Sequence, residues 1–335
     1  MRKEKFIVHG KIILVFSLFL MFFLISDALP ARGTDYPTKP IELLCGQKAG
    51  GSTDLSARVL ASVIPKYLGQ PVVVVNKTGA AGMLAVNHFL KTKPDGYTMM
   101  EATIGYLTIF PALHRKSPFT YNSLKAVART EVVPAVLVTR PDKRWNNLGQ
   151  FVEFIKTNPG ALKYAISAMG SLSDLGAKTF MTQAGIPMKN AIGVPFNGTA
   201  EALASVLGKH TDYSYLNLTP LFEHLKAGKL VALGVSTPSR LKSLPKVPTL
   251  TELGYPEASI MGWKGIMGHP HLPSEIVKVW EEAIQKMIKD KSWVRFQRKL
   301  GSLPAYLGHE NFTTFIEKEY SKFRKIAVEN NLLVD

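Results

Sequence analysis

The chain has 335 residues, with 41 lysines and arginines against 25 aspartates and glutamates, and 46% of its residues are hydrophobic. That length is about twice an average domain, and a chain of this size buries roughly 75% of its unfolded surface, which excludes a disordered chain and a small cross-linked scaffold. The net charge of +16 admits nucleic acid, a membrane surface or a small anion as partner, while the single cysteine, Cys45, excludes an internal disulfide and a CxxC metal or redox site.

The first residues narrow these options. Arg2, Lys3, Lys5 and Lys11 precede an apolar run, Ile12–Ile25, and Ser26-Asp27-Ala28 supplies small residues at a cleavage site after Ala28. This is the three-part pattern of a secretory signal over residues 1–28. At about 1.5 Å per residue the apolar run falls short of the roughly 30 Å hydrocarbon core, so a retained anchor is the weaker reading. Removal of residues 1–28 leaves 37 basic and 23 acidic residues, net +14. An exported protein does not normally meet genomic DNA, so the charge points away from nucleic acid and no nucleic-acid partner is expected.

Short β-branched runs then alternate with helical patterns. Ile41–Leu44 reads as a strand, and Leu55, Val59, Leu60, Val63, Ile64, Tyr67 and Leu68 mark one buried helical face that Pro65 should shorten or kink. Val72–Val75 is a wholly apolar strand, Gly79-Ala80-Ala81-Gly82 is a turn opening a helix to Lys91, and Tyr97–Met100 is the next strand. Strands are expected at Val132–Thr139, Lys163–Ser167, Ala191–Pro195, Tyr213–Leu216 and Leu230–Ser236. Helices are expected at Leu148–Thr157, Ser173–Gln183, Thr199–Leu207 and Pro220–Ala227. After a strand at Ile260–Met267, helices dominate from Ser274 to Asn330. This βαβα order predicts an α/β fold with parallel sheets covered by helices on both faces.

The chemistry-bearing motifs are mostly absent. There is no G-x-S-x-G, no G-x-x-x-x-G-K-[ST], no H-E-x-x-H and no G-x-G-x-x-G. His269 and His271 flank Pro270 without a third ligand, so no metal site is expected, and the sequons at Asn76, Asn197, Asn217 and Asn311 are short patterns that recur by chance. A hydrolase built on Ser52 or Ser171 lacks a base, so no catalytic residue and no cofactor is expected. What remains are loops at the carboxyl ends of strands, where open α/β sheets bind ligands. Gln47, Lys48, Ala49, Gly50, Gly51, Ser52, Thr53 and Asp54 form the first; the second is Ser167–Asp174, with Gly170, Ser171, Ser173 and Asp174 as its candidate contacts; Phe196, Asn197, Gly198 and Thr199 form the third. Thr103, just beyond the strand at Tyr97–Met100, joins this candidate ligand-binding set. Glycines let the backbone approach a ligand, helix-start amides attract anions, and Lys48 adds a formal positive charge.

The order and spacing of several segments resemble a known family. They include Tyr36-Pro37-Thr38-Lys39-Pro40-Ile41, Ala49-Gly50-Gly51-Ser52-Thr53-Asp54, Gly69-Gln70-Pro71-Val72-Val73-Val74, Gly79-Ala80-Ala81-Gly82 and Pro94-Asp95-Gly96-Tyr97-Thr98. Further along come Val194-Pro195-Phe196-Asn197-Gly198-Thr199, Val247-Pro248-Thr249-Leu250-Thr251-Glu252-Leu253-Gly254 and Gly262-Trp263-Lys264-Gly265. Together they resemble the Bug-type family, the extracytoplasmic solute-binding receptors of tripartite tricarboxylate transporters. The resemblance implies a two-domain Venus-flytrap of the type II periplasmic-binding-protein fold. It implies a non-enzymatic, periplasmic, monomeric receptor that closes on a small carboxylate and works with membrane permease subunits. Domain 1 would comprise 32–132 and 257–335, and domain 2 would comprise 133–256. The hinge would lie near Glu131–Pro134 and Ser259–Trp263. In the family, the loops corresponding to Gln47–Asp54 and Gly170–Asp174 grip the ligand carboxylate. This chain departs from the usual pattern with Gly46 and Gln47 in place of Pro and an aromatic, Asp174 in place of His, Phe196 in place of Tyr, and Leu216 at an often acidic position. An exported sensor that delivers a solute to a signalling receptor is the alternative function.

Overall fold

In the computed structural model of the protein, residues 35–334 are described, except Ala80, Ala81 and Lys143; the expected signal segment, residues 1–28, lies outside them. The apolar runs form the strands. β1 (Ile41–Cys45) is followed by α1 (Ser52–Val63) and the one-turn α2 (Pro65–Leu68). The expected effect of Pro65 is a full break: α1 ends at Val63, and proline starts α2, where its missing N–H removes no helical bond. Next come β2 (Val72–Asn76), α3 (Met83–Phe89) and β3 (Thr98–Thr103), then a π-helical turn, Gly105–Ile109, running into α4 (Phe110–Leu113). β4 (Lys125–Val133) and β5 (Ala135–Thr139) are separated by Pro134 alone. α5 (Leu148–Thr157), β6 (Leu162–Ile166), α6 (Leu172–Gln183), β7 (Ala191–Pro195), α7 (Thr199–Leu207), β8 (Tyr213–Asn217), α8 (Phe222–Lys226) and β9 (Val231–Val235) follow. The chain ends with β10 (Gly262–Gly268), α9 (Ser274–Met287), α10 (Lys291–Leu300), β11 (Leu303–Leu307) and α11 (His309–Glu329).

Two sheets result. The first has the order β11-β4-β10-β3-β1-β2 and the second β7-β6-β8-β5-β9. The parallel expectation holds only inside each βαβ block: β1 runs parallel to β2 and β3, and β6 parallel to β7 and β8. The connecting strands run the other way. β10 is antiparallel to β3 and β4, and β5 is antiparallel to β8 and β9. The sheets are therefore mixed, because a strand entering from the other lobe arrives without a crossover helix to set its direction.

The segment expected as one strand, Val132–Thr139, is divided between the sheets at Pro134, which has no N–H for a ladder. β11 replaces part of the expected helical tail. The buried residues form three clusters, one of which reaches both sheets; Trp263, Trp280 and Trp293 are all buried, and Trp263 meets Phe312 edge-on at 5.3 Å.

Candidate functional site

Three strand-to-helix loops share one construction. Gly50 adopts a left-handed φ of 80°, and its N–H donates to the Asp54 carboxylate at 2.9 Å. Arg58, one turn further on, donates to the same group at 3.0 Å. In the second sheet, Gly170 at φ 67° donates to Asp174 at 2.9 Å, and Lys178 lies 2.9 Å from that carboxylate. In the third loop the Asn197 N–H donates to Glu201 at 3.1 Å. There the cation comes from the opposite lobe: Lys48 Nζ lies 2.6 Å from Glu201 Oε1. Each acid closes its loop as a carboxylate accepting backbone N–H bonds at the start of a helix. Burial pushes the Asp54 carboxyl up, but bonds from Arg58, Gly50 and Asn76 outweigh it and hold it below the usual carboxylate range. The Lys48 ammonium, then the Asn197 N–H, hold the Glu201 carboxyl low.

These loops enclose a cavity of about 300 Å³ between the two sheets. Of the sequence-predicted residues, Gln47, Lys48, Thr103, Gly170, Ser171, Phe196, Asn197 and Gly198 line it. Ala49, Gly50, Gly51, Ser52, Thr53, Asp54, Ser173, Asp174 and Thr199 do not; Asp54 and Asp174 are placed behind the loops, each 1% exposed. Asp174, paired with Lys178, therefore presents no free negative charge to the space. Among the described residues, Lys48 is the sole charged side chain in the lining.

The sequence reading missed Gly46, Thr78, Gly79, Gly82, Gly105, Tyr106, Ser167 and Ala168, which also line the cavity. Gly46 adjoins the first expected loop, Ser167 and Ala168 lie in the second but outside its candidate contacts, and Gly79 and Gly82 belong to a segment read only as a turn. Tyr106 had no signal, because a π-helical turn has no distinct apolar period. Its hydroxyl donates to the Glu101 carbonyl, and its ring covers Gly82, where an added Cβ would come within 2.6 Å of the ring. Gly82, at φ 95°, is thus required both by its backbone conformation and by the close approach of that ring.

The polar groups are built for hydrogen bonding. Ser171 Oγ lies 3.1 Å from Ser167 Oγ and 2.8 Å from Ser173 Oγ, and the Ser167 N–H donates to Ser173 Oγ at 2.7 Å. The Ser171 hydroxyl therefore sits among hydroxyls, not against an imidazole. Gln47 Oε1 is buried with no hydrogen-bond partner, although its backbone oxygen accepts from Asn76 Nδ2 at 2.8 Å. A donor on a bound ligand, or the amide turned to donate itself, would satisfy that side chain. Burial, foremost, pushes the Cys45 thiol up to about 12, which keeps it protonated and poorly nucleophilic. Among the described residues no group of three or more His, Cys, Asp or Glu side chains could hold a metal ion.

Behind the first loop lies a dry ionic cluster. Lys264 of β10 donates to the Ser52 carbonyl at 2.7 Å and lies 2.7 Å from Glu131 of β4. Glu131 also accepts from Ser56 Oγ at 2.7 Å. Neighbouring Glu101 is fully buried with neither carboxyl oxygen bonded; burial raises its pKa to about 8, with Lys264 opposing and Glu131 adding to the rise. The cluster ties the start of α1 to the two strands that approach the other lobe.

The sequence profile of the family described as Tripartite tricarboxylate transporter family receptor matches residues 56–332. Protein BugT of Bordetella pertussis is 30% identical over 308 residues, covering 90% of this chain and 92% of that protein. Among solved structures, the periplasmic binding protein BugD superposes with a TM-score of 0.82 at 25% identity, over 89% of this chain and 99% of the other. Rpa4515 of R. palustris, solved with adipate, gives a TM-score of 0.83 at 25% identity, over 89% and 99%.

Proposed function

Because the chain belongs to the family of tripartite tricarboxylate transporter receptors, a family of solute-binding proteins and not of enzymes, we propose that it is the periplasmic receptor that closes on a small carboxylate and delivers it to membrane permease subunits. The observation that carries this reading is the cavity itself: about 300 Å³ lined from both sheets by glycine backbone, hydroxyls, the two amides of Gln47 and Asn197, and one ammonium. That lining suits an anionic head group and contains no nucleophile–base pair. The similar R. palustris structure solved with adipate supports a carboxylate as the ligand class.

On this reading the two lobes are domains, 32–132 with 257–335 and 133–256. They hinge where β4 passes to β5 and where the chain returns through Ser259–Trp263, and the working unit is a monomer. The segment 1–28 directs export. No helix of the described residues is long and apolar enough to cross a membrane. The ligand carboxylate sits against the Gln47–Lys48 and Gly170–Ser171 loops, with Thr103 and Phe196–Gly198 around it. The remaining predicted residues, Ala49–Asp54, Ser173, Asp174 and Thr199, hold those loops in shape.

The pair Lys48–Glu201 joins the lobes at the cavity's edge and acts as a latch. Lys48 and Glu201 side chains are 52% and 41% exposed, so solvent screens the latch and leaves closure to the ligand. A thermal-shift screen of mono-, di- and tricarboxylates tests the proposal. A ligand at 100 times its dissociation constant stabilises the fold by about 2.7 kcal/mol. Neutral solutes active with every carboxylate silent would refute it.

A further inference from the structure

Away from the cavity, α8 of one lobe and α10 of the other border a groove of about 830 Å³. Its walls carry six cations, Lys226, Lys289, Lys291, Arg295, Arg298 and Lys299, against a single acid, Glu223. That acid is already paired with Lys226 at 3.1 Å. The other five cations are exposed and form no ion pair among the described residues. Like charges gathered in a concavity repel one another and focus a positive potential. Nothing in the packing of α10 asks for them, since that helix buries Trp293 and Gln297 on its opposite side.

The groove also lies where the lobes meet. A Cβ on Gly301 would come within 3.1 Å of Leu218 and 3.8 Å of Phe222, and the Thr219 and Ser302 hydroxyls are 3.4 Å apart. Rotation of one lobe against the other therefore shifts α8, with Phe222, Glu223 and Lys226, relative to α10 and the cations it carries. Phe222 and Val294 give the groove an apolar floor. A concave, apolar-floored, basic channel fits an extended chain better than a flat bilayer surface.

We propose that this groove docks an Asp/Glu-rich segment of a partner protein and discriminates between the open and closed states of the receptor. The assignment of that partner as the transporter's membrane component rests on the receptor reading above; the preference for an acidic segment does not.

The test uses the full-length chain and a fluorescent twelve-residue peptide with alternating Glu and Ser, read by anisotropy in low salt. Arg295→Glu, Arg298→Glu and Lys299→Glu are combined in one variant. Lys242→Glu, Lys246→Glu and Lys318→Glu form a control with the same change in net charge at other exposed sites. The groove variant is expected to weaken the peptide about tenfold and the control less than about twofold, with wild-type binding falling as salt rises. Carboxylate binding, measured in parallel, stays unchanged in the groove variant, and a saturating carboxylate changes the peptide affinity of the wild type.

Equal loss in both variants would overturn the site, as would vesicles containing phosphatidylglycerol being bound while the peptide is ignored. Ligation without effect on the peptide would overturn the state discrimination. If no carboxylate binds but the peptide still requires the groove cations, the docking surface stands and the transporter assignment falls.

Discussion

Replacing Lys264 with methionine removes the one cation from a dry cluster. The Lys264 and Glu131 side chains are 2% and 0% exposed, and their charged atoms are 2.7 Å apart, so water cannot take over the ammonium's role. The Ser52 carbonyl loses its donor in the same step. Breaking a buried pair by deleting one partner typically removes about 3–5 kcal/mol, because the remaining charge is left desolvated and unpaired. At about 2–4 °C per kcal/mol, the melting temperature should fall on the order of 10 °C. The double variant Lys264→Met, Glu131→Gln removes both charges and leaves an amide oxygen for Ser56, so most of the loss should return. Urea unfolding followed by circular dichroism measures all three proteins, with an unchanged denaturant slope showing that stability changed and the surface exposed on unfolding did not. A single variant that loses less than about 1 kcal/mol, or a double variant no more stable than the single, would show that the pair is not the anchor described above.

Three further outcomes follow from the same geometry. Burial lifts the Glu101 carboxyl from the ordinary glutamate value of 4.5 to about 8, so between those values the folded chain holds a proton that the unfolded chain has released. This contribution to stability is complete below about pH 4.5 and is lost as pH rises towards 8. Glu101→Gln, which imitates the protonated acid, should therefore gain stability relative to wild type as pH rises from 5 to 8.5; a difference in melting temperature that is flat with pH would contradict this. Gly170→Ala forces a side chain onto a φ of 67° and brings its Cβ within 2.9 Å of His114. It should destabilise by about 1–3 kcal/mol and weaken ligand binding in calorimetry, whereas a silent Gly170→Ala would mean the loop relaxes freely. Lys48→Met should raise the dissociation constant by about fivefold or less at low salt, with the difference shrinking in high salt, as for an exposed pair; a loss of a hundredfold would make Lys48 the principal ligand contact instead of a latch.

The sequence made the βαβ blocks legible because their apolar runs and Gly-rich junctions are local signals. Val72–Val75 and Ala191–Pro195 appear where those signals place strands. The strands that tie the lobes together were harder to read. β4 contains Lys125, Arg129, Thr130 and Glu131, and it looks polar until Lys264, more than a hundred residues away, is seen to neutralise Glu131. The reversed direction of β5 and β10 in their sheets is set by passage between lobes and not by local alternation.

The three loops of the candidate site were visible for the same local reason, but not which of their residues face the cavity. Asp54 and Asp174 share the spacing of a Gly four residues before and a cation four residues after, a pattern that identifies them as loop supports only once those bonds are seen. Tyr106 and Gly82 come together from separate segments through a ring stacked on a glycine, which no periodicity records.

A crystal structure of the protein with the carboxylate that gives the largest thermal shift addresses the central claim most directly. It should show the ligand between the sheets, its carboxylate within hydrogen-bond distance of groups from Gln47–Lys48 and Gly170–Ser171, with no covalent bond to the protein. A ligand bound elsewhere with this space filled only by water, or one contacted from a single lobe, would contradict the account.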